Sequence, residues 1–180
     1  MEEAVENLGK LAQAIKQKNV ADNEIARITG RPAERSHTGE YIVARIFNIA
    51  LQESAAHKGT DGHFVAGKLA GKTVNIKWYG KQEGILDINP QKLPDLYLVM
   101  TGPKSGAMSS RGTTRLWLIS YVYLFDAAGL IEILKRRGVK IGIATSVPRE
   151  SWDKSEIYPT ACNSRLVLSD EQRKQLTLFG

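Results

Sequence analysis

A single cysteine, Cys162, stands in a chain of 180 residues, which excludes an internal disulfide and any cysteine-rich metal site. Long apolar runs are absent too. The best candidate, residues 116–125, has about half of the roughly 20 residues that a membrane-spanning helix needs. Basic residues are missing from the first turn of the chain, where Glu2, Glu3 and Glu6 give the reverse of a signal peptide; the expected location is cytoplasmic. No internal repeat occurs, and no Pro-, Gly- or Ser-rich linker splits the chain into two domains. What is present is an apolar fraction of 42% with 24% charged residues, the balance of a soluble globular protein rather than a disordered one. The net charge of +6 suits a polyanionic partner without requiring one. The densest basic run, Lys135-Arg136-Arg137, reads first as favourable placement at a helix C-terminus and second as a grip on phosphate.

The periodicity changes along the chain. Val5, Leu8, Leu11, Ala12 and Ile15 recur at helical spacing, predicting an amphipathic helix over residues 3–18 and a second short one over 22–28, closed by Gly30 and Pro32. Thr38 is placed to cap a third helix reaching residue 49, with Ile42, Val43, Ile46 and Phe47 as its buried stripe. Short strands are then expected at 64–65 and 73–79, followed by 96–100 and 116–125, with a Gly/Ser-rich loop over 102–112. Asp126 is positioned to cap a helix that stops at Gly138, and residues 139–144 read as a last strand. Ser169-Asp170-Glu171-Gln172 matches a capping box opening a final helix. The fold class expected is α/β (α+β), one domain over 1–180. A mixed central sheet is flanked by helices, with a helical N-terminal extension over 1–36 and a C-terminal helix or tail over 168–180.

Chemistry concentrates around the strand Thr73-Val74-Asn75-Ile76-Lys77-Trp78-Tyr79. Alternation puts Asn75 and Lys77 on one face and Val74 and Ile76 on the other. Asp61, in the upstream turn Gly59-Thr60-Asp61-Gly62, can join them, and Glu40 lies on the preceding helix. An acidic turn residue beside a polar-x-Lys strand is what metal-assisted cleavage of a phosphodiester needs. The plainer reading makes Asp61-Gly62 a turn pair and Lys77 a solvated strand residue.

In order and context, Gly39-Glu40-Tyr41, Lys58-Gly59-Thr60-Asp61-Gly62 and Val74-Asn75-Ile76-Lys77 resemble the PD-(D/E)xK, or restriction-endonuclease-like, nuclease superfamily, and more narrowly an uncharacterised bacterial branch of it. The resemblance covers roughly residues 25–100. It implies that Asp61 is the main metal ligand and Glu40 a supporting one, with Asn75 completing the set for Mg2+ or Mn2+. It further implies that Lys77 positions or activates the attacking water and offsets charge on the scissile phosphate. Asn75 departs from the family pattern, which has Asp or Glu there. That departure leaves two readings: a DNA-cleaving endonuclease of restriction, repair or defence, or a catalytically silent nucleic-acid-binding or interaction module that keeps the fold. DNA is the expected partner, and a homodimer is a plausible state, because two strands require two cuts.

Further residues are candidates for nucleic-acid contact. His37 precedes the Glu40 helix, and His57 and Lys58 lie close to Asp61 in sequence. Trp78, Tyr79, Trp117 and Trp152 read mainly as core. At the C-terminus, Gln175-Leu176-Thr177-Leu178-Phe179 is similar to the pentapeptide by which bacterial DNA-metabolism proteins dock on the sliding clamp. Leu178 and Phe179 would then fill an apolar pocket, with the Gln175 amide bonded at its rim. The alternative is a closing helix whose Leu176 and Phe179 fold back onto the domain.

Overall fold

A computed structural model describes residues 2–52, 59–104 and 114–180, with side chains from residue 6 onward. It is an α+β fold, in agreement with the class expected. A six-stranded mixed sheet has the order β1-β2-β3-β5-β6-β8. Its strands are β1 (Ile49–Leu51), β2 (Gly62–Phe64), β3 (Thr73–Tyr79), β5 (Leu96–Thr101), β6 (Tyr121–Asp126) and β8 (Glu156–Tyr158). Only the β3–β5 contact is parallel, with Asn75 beside Tyr97 and Lys77 beside Val99; the other neighbours run antiparallel. A two-stranded ladder, β4 (Ile85–Leu86) with β7 (Thr145–Ser146), lies apart from it.

Two apolar layers sandwich the sheet. On one face α2 (Arg35–Phe47) lays Ile42, Val43, Ile46 and Phe47 against Val74, Ile76, Trp78 and Leu98. The approach is close because residue 39 is glycine: a Cβ there would sit 3.0 Å from Met100 Cε and 3.2 Å from Trp78 Cε3. That contact fixes the height of the neighbouring Glu40 over the sheet. The closing helix α5 (Asp170–Thr177) joins the same layer through Leu176. Its capping box forms as expected, and Gln172 does double service. Its Oε1 accepts from Ser169 N–H at 3.0 Å, while its Nε2 donates to Ile46 O at 2.9 Å, pinning α5 to the end of α2. On the opposite face α3 (Ala127–Arg136) and α4 (Arg149–Ser155) cover Tyr97, Val99, Tyr123 and Phe125 with Leu130, Leu134 and Trp152.

Several boundaries differ from the sequence reading. The two N-terminal helices are one, α1 (Glu2–Thr29), because nothing between residues 18 and 22 breaks a helix and Lys18 pairs with Asp22 one turn on. Helix α2 starts at Arg35, ahead of Thr38, and Glu34 precedes it in extended backbone without a side-chain cap. It ends earlier than residue 49, at Asn48, which takes the left-handed conformation and frees Ile49 for β1. Residues 139–144 are not a strand; Ala144 sits at positive φ, and the short β7 begins after it. Strand β6 begins at Tyr121, not 116, and β4, α4 and β8 were not anticipated. Asp126 caps α3 as expected, its side chain accepting from Gly129 N–H, and the basic run 135–137 closes that helix.

Candidate functional site

Asp61 closes the β1–β2–β3 meander at the point where β2 runs out. Its backbone N–H donates to Val74 O at 2.9 Å, and its carbonyl accepts from Gln52 N–H at 2.9 Å. Gly62 follows because no side chain fits: a Cβ there would lie 2.4 Å from Ala50 O. Beyond β2 the edge of β3 has no strand partner among the described residues, and the Asp61 carboxylate takes over, with Oδ2 accepting from Ile76 N–H at 2.6 Å. One oxygen is thereby committed to the backbone, and among the described residues Oδ1 has no hydrogen-bond partner. Burial pushes the Asp61 carboxyl above the usual carboxylate range. The Ile76 N–H opposes that, Glu40 adds to it, and Lys77 and Arg31 act against it. Asp61, Glu40, Lys77 and Arg31 therefore share one electrostatic neighbourhood, although Glu40 comes from a helix and the others from hairpin and loop.

Asn75 is the most unusual member. It is only 8% exposed, and its Oδ1 is buried with no hydrogen-bond partner. An acceptor left so costs about 1–3 kcal/mol, which folded proteins seldom accept without a use for it. Lys77, two residues on and on the same face, is half-buried. Asn75 and Lys77 line a pocket of about 220 Å³ together with Asp87, Asn89, Lys92 and Tyr97. Asp87 is held in place at its rim, Oδ1 accepting from Ala144 N–H at 2.7 Å and Oδ2 from the Tyr79 hydroxyl at 3.3 Å. A larger cavity, about 480 Å³, lies between α3 and α4 away from these residues; its lining includes no buried polar atom without a partner.

The donor set of Asp61, Glu40 and Asn75 has the hard-oxygen chemistry that magnesium takes. The two mutually repelling carboxylates are a feature that a bound cation would relieve, whereas the pocket lined by the unpartnered Asn75 Oδ1 includes neither Asp61 nor Glu40. Among the described residues there is no group of three or more His, Cys, Asp and Glu placed to hold a metal, so this set depends on the amide. Glu40 is also engaged elsewhere, ion-paired through Oε2 to Arg31.

His37 falls inside the first turn of α2, one turn before Glu40 on the same side of the helix. It is half-buried, with Nδ1 lacking a hydrogen bond and 3.8 Å from Glu34. His57 and Lys58 lie outside the described residues. The C-terminal pentapeptide is folded into α5 and the turn after it. Leu176 is fully buried, Phe179 packs half-buried on the core with its carbonyl accepting from Ile119 N–H at 2.8 Å, and Leu178 is exposed. The Gln175 amide donates to Glu171. Presenting this segment as an extended peptide would require Leu176 to leave the core. Trp78 and Trp152 are core, as read from the sequence, whereas Trp117 is 37% exposed and lies against Trp78 and the Arg35 guanidinium.

Sequence reasoning missed Arg31 as the partner of Glu40, and it missed Asp87, Asn89 and Lys92 as pocket walls. Asn89-Pro90 is a turn signal that could have flagged a loop beside β5, but nothing in the sequence aims that loop at Lys77. Among the described residues no helix is long and apolar enough to cross a membrane. Comparison of the chain with protein-family models and with curated proteins finds no match in either.

Proposed function

We propose that this chain is a metal-dependent phosphodiesterase acting on DNA, built on a restriction-endonuclease-like core. The observation that carries the reading is the buried Asn75 Oδ1, unpartnered among the described residues and lining a pocket with Lys77, while Asp61 is held on the same hairpin by Ile76 N–H. Asp61 and Asn75, with Glu40 in support, would hold Mg2+ or Mn2+. When bound, the ion would supply Lewis-acid stabilisation of charge on the scissile phosphate. Lys77 contributes a cation from the strand face of Asn75, and its ammonium can hold an attacking water by donating to it while balancing developing negative charge. Ile76 N–H keeps the Asp61 carboxylate from swinging away, so the site is organised before any ligand arrives.

The direct test is nicking of supercoiled plasmid by purified protein in magnesium or manganese, beside Lys77→Ala and Asp61→Ala. Both variants are expected to lose activity. Equal nicking by all three proteins would assign the activity to a contaminant.

A second reading is favoured by a specific contact: Arg31 neutralises Glu40 from within the chain, doing part of what a metal would do. With Asn75 neutral, this describes a module that binds nucleic acid without cutting it. Magnesium titration separates the two readings. Salt-sensitive DNA binding with no metal binding would establish the silent form.

A further inference from the structure

Arg35, the first residue of α2, carries its charge in a fixed place. One amino group of its guanidinium donates to Arg115 O at 2.6 Å, and the central carbon lies 5.8 Å from the centre of the Trp117 ring. The other amino group passes close to Gly80, where a Cβ would come within 3.1 Å of it. None of these neighbours is an anion. Among the described residues no carboxylate pairs with Arg35, and its Nε–H is buried without a partner. The nearby acids are engaged elsewhere: Glu83 with Arg115 at 3.3 Å, Glu40 with Arg31, and Glu34 at 3.8 Å from His37. Residues 105–113, which lead into Arg115, contain no Asp or Glu. Burial, and after it the charge of Arg115, press the Arg35 guanidinium below its ordinary range, with no carboxylate acting the other way. A partly buried cation without a counter-ion costs stability, so its firm placement points to an anion from outside the chain.

The position says which anion. Arg35 lies five residues before Glu40 on α2, about 7.5 Å along the helix axis. Gly80 follows the end of β3, three residues and roughly 10 Å beyond Lys77. The patch thus borders the candidate site. A guanidinium has five N–H donors, and the described contacts of Arg35 use one. We propose that Arg35, buttressed by Trp117 and the Arg115 carbonyl, grips a backbone phosphate of DNA a few base pairs from the bond presented to the candidate site. The choice of DNA rests on the function proposed above; the call for an anion at Arg35 does not.

Fluorescence anisotropy of a labelled duplex, titrated with the full chain at several salt concentrations and without divalent metal, tests the idea. Arg35→Gln should weaken binding by about tenfold and lower the slope of log affinity against log salt by about 0.9, the share of one phosphate. Its thermal midpoint should hold or rise, because a desolvated charge is gone. A fall in midpoint alongside the lost binding would make Arg35 structural and overturn the proposal. Trp117→Leu removes the buttress and leaves the charge, so it should weaken binding less and keep the salt slope. Arg149→Gln removes one charge from an exposed position on α4 and should change neither quantity; a loss equal to that of Arg35→Gln would reduce the effect to net charge and overturn the patch. Poly-glutamate displacing the duplex at matched charge would do the same for the DNA assignment. Unchanged binding in Arg35→Gln, with nicking still lost in Lys77→Ala and Asp61→Ala, overturns the patch and leaves the nuclease reading standing. Arg35-dependent binding by a chain that neither takes magnesium nor nicks keeps the patch and overturns the nuclease.

Discussion

One face of the sheet runs from Asn75 and Lys77 on β3, through Tyr97 and Val99 on β5, to Phe125 and Tyr123 on β6, and its two ends have opposite fates. At the β6 end α3 and α4 close over the strand, and Trp152 meets the rings of Tyr123 and Phe125 edge-on at centroid distances of 4.8 and 4.9 Å. At the β3 end the side chains turn polar and open into the pocket with Asp87 and Lys92. Strand alternation is the same at both ends; what differs is whether a helix arrives to cover the face. Burial at the covered end is rewarded by contact, whereas burial of Asn75 at the other end leaves an acceptor unpaired. A core and a site are thus neighbours on one surface, and substitutions can tell how independent they are.

The largest effect is expected at the covered end. Trp152→Ala removes the wedge between two helices and the sheet and should cost about 3–5 kcal/mol of unfolding free energy, read from urea denaturation. Under native conditions its magnesium affinity should match that of the parent chain. A joint loss would show the two ends to be one cooperative unit. The converse test is Lys77→Ala, which should lower nicking by about a hundredfold or more and leave stability within about 0.5 kcal/mol. Comparable losses of both would reduce Lys77 to a packing residue.

The comparison sharpens further if the open end is converted into core. Asn75→Leu replaces the orphaned amide with an apolar group of similar volume facing Tyr97, and should stabilise the apo protein by about 1 kcal/mol. On the proposed reading magnesium raises the thermal midpoint of the parent, and the same variant should abolish that rise. Destabilisation instead would show that Asn75 is satisfied in solution and does no waiting for a ligand.

How much of this was readable in advance follows the same division. The stripe Ile42, Val43, Ile46, Phe47, the strand at 73–79 with its Asn75/Lys77 face, the Asp126 cap and the Ser169 capping box all rest on local chemistry, so spacing alone revealed them. The continuous run 96–100 announced a central strand, and every residue of β5 is buried. Strands β1, β4 and β8 are at most three residues long and take their shape from the neighbours they pair with, which no local pattern can encode. The site divides likewise. The shared strand face of Asn75 and Lys77, and the place of Asp61 on the same hairpin, were legible because a hairpin brings near residues together. The Arg31–Glu40 pair and the loop carrying Asp87 and Lys92 depend on tertiary packing, and no sequence spacing hints at them.

The smallest expected effect is also the one that isolates the charge at Asp61. Asp61→Asn keeps an acceptor for Ile76 N–H but removes the carboxylate that burial and Glu40 disfavour. A carboxyl raised in the folded state binds more protons there than in the unfolded chain over the interval from about pH 4 to its raised value. Stability contributed by the group is therefore full below that interval, falls as pH rises through it, and stays reduced at neutral pH. The parent should show this decline in thermal midpoint and Asp61→Asn should not, leaving the variant slightly the more stable near pH 7. On the proposed reading magnesium should reverse the order. An ion binds the ionised carboxylate, so the midpoint it adds to the parent should grow with pH across the same interval, and the variant should gain almost nothing. An added stabilisation independent of pH, or one kept by Asp61→Asn, would move the metal away from Asp61. Without that ligand, the open end of the sheet would keep its pocket and its lysines but lose the proposed basis for cutting.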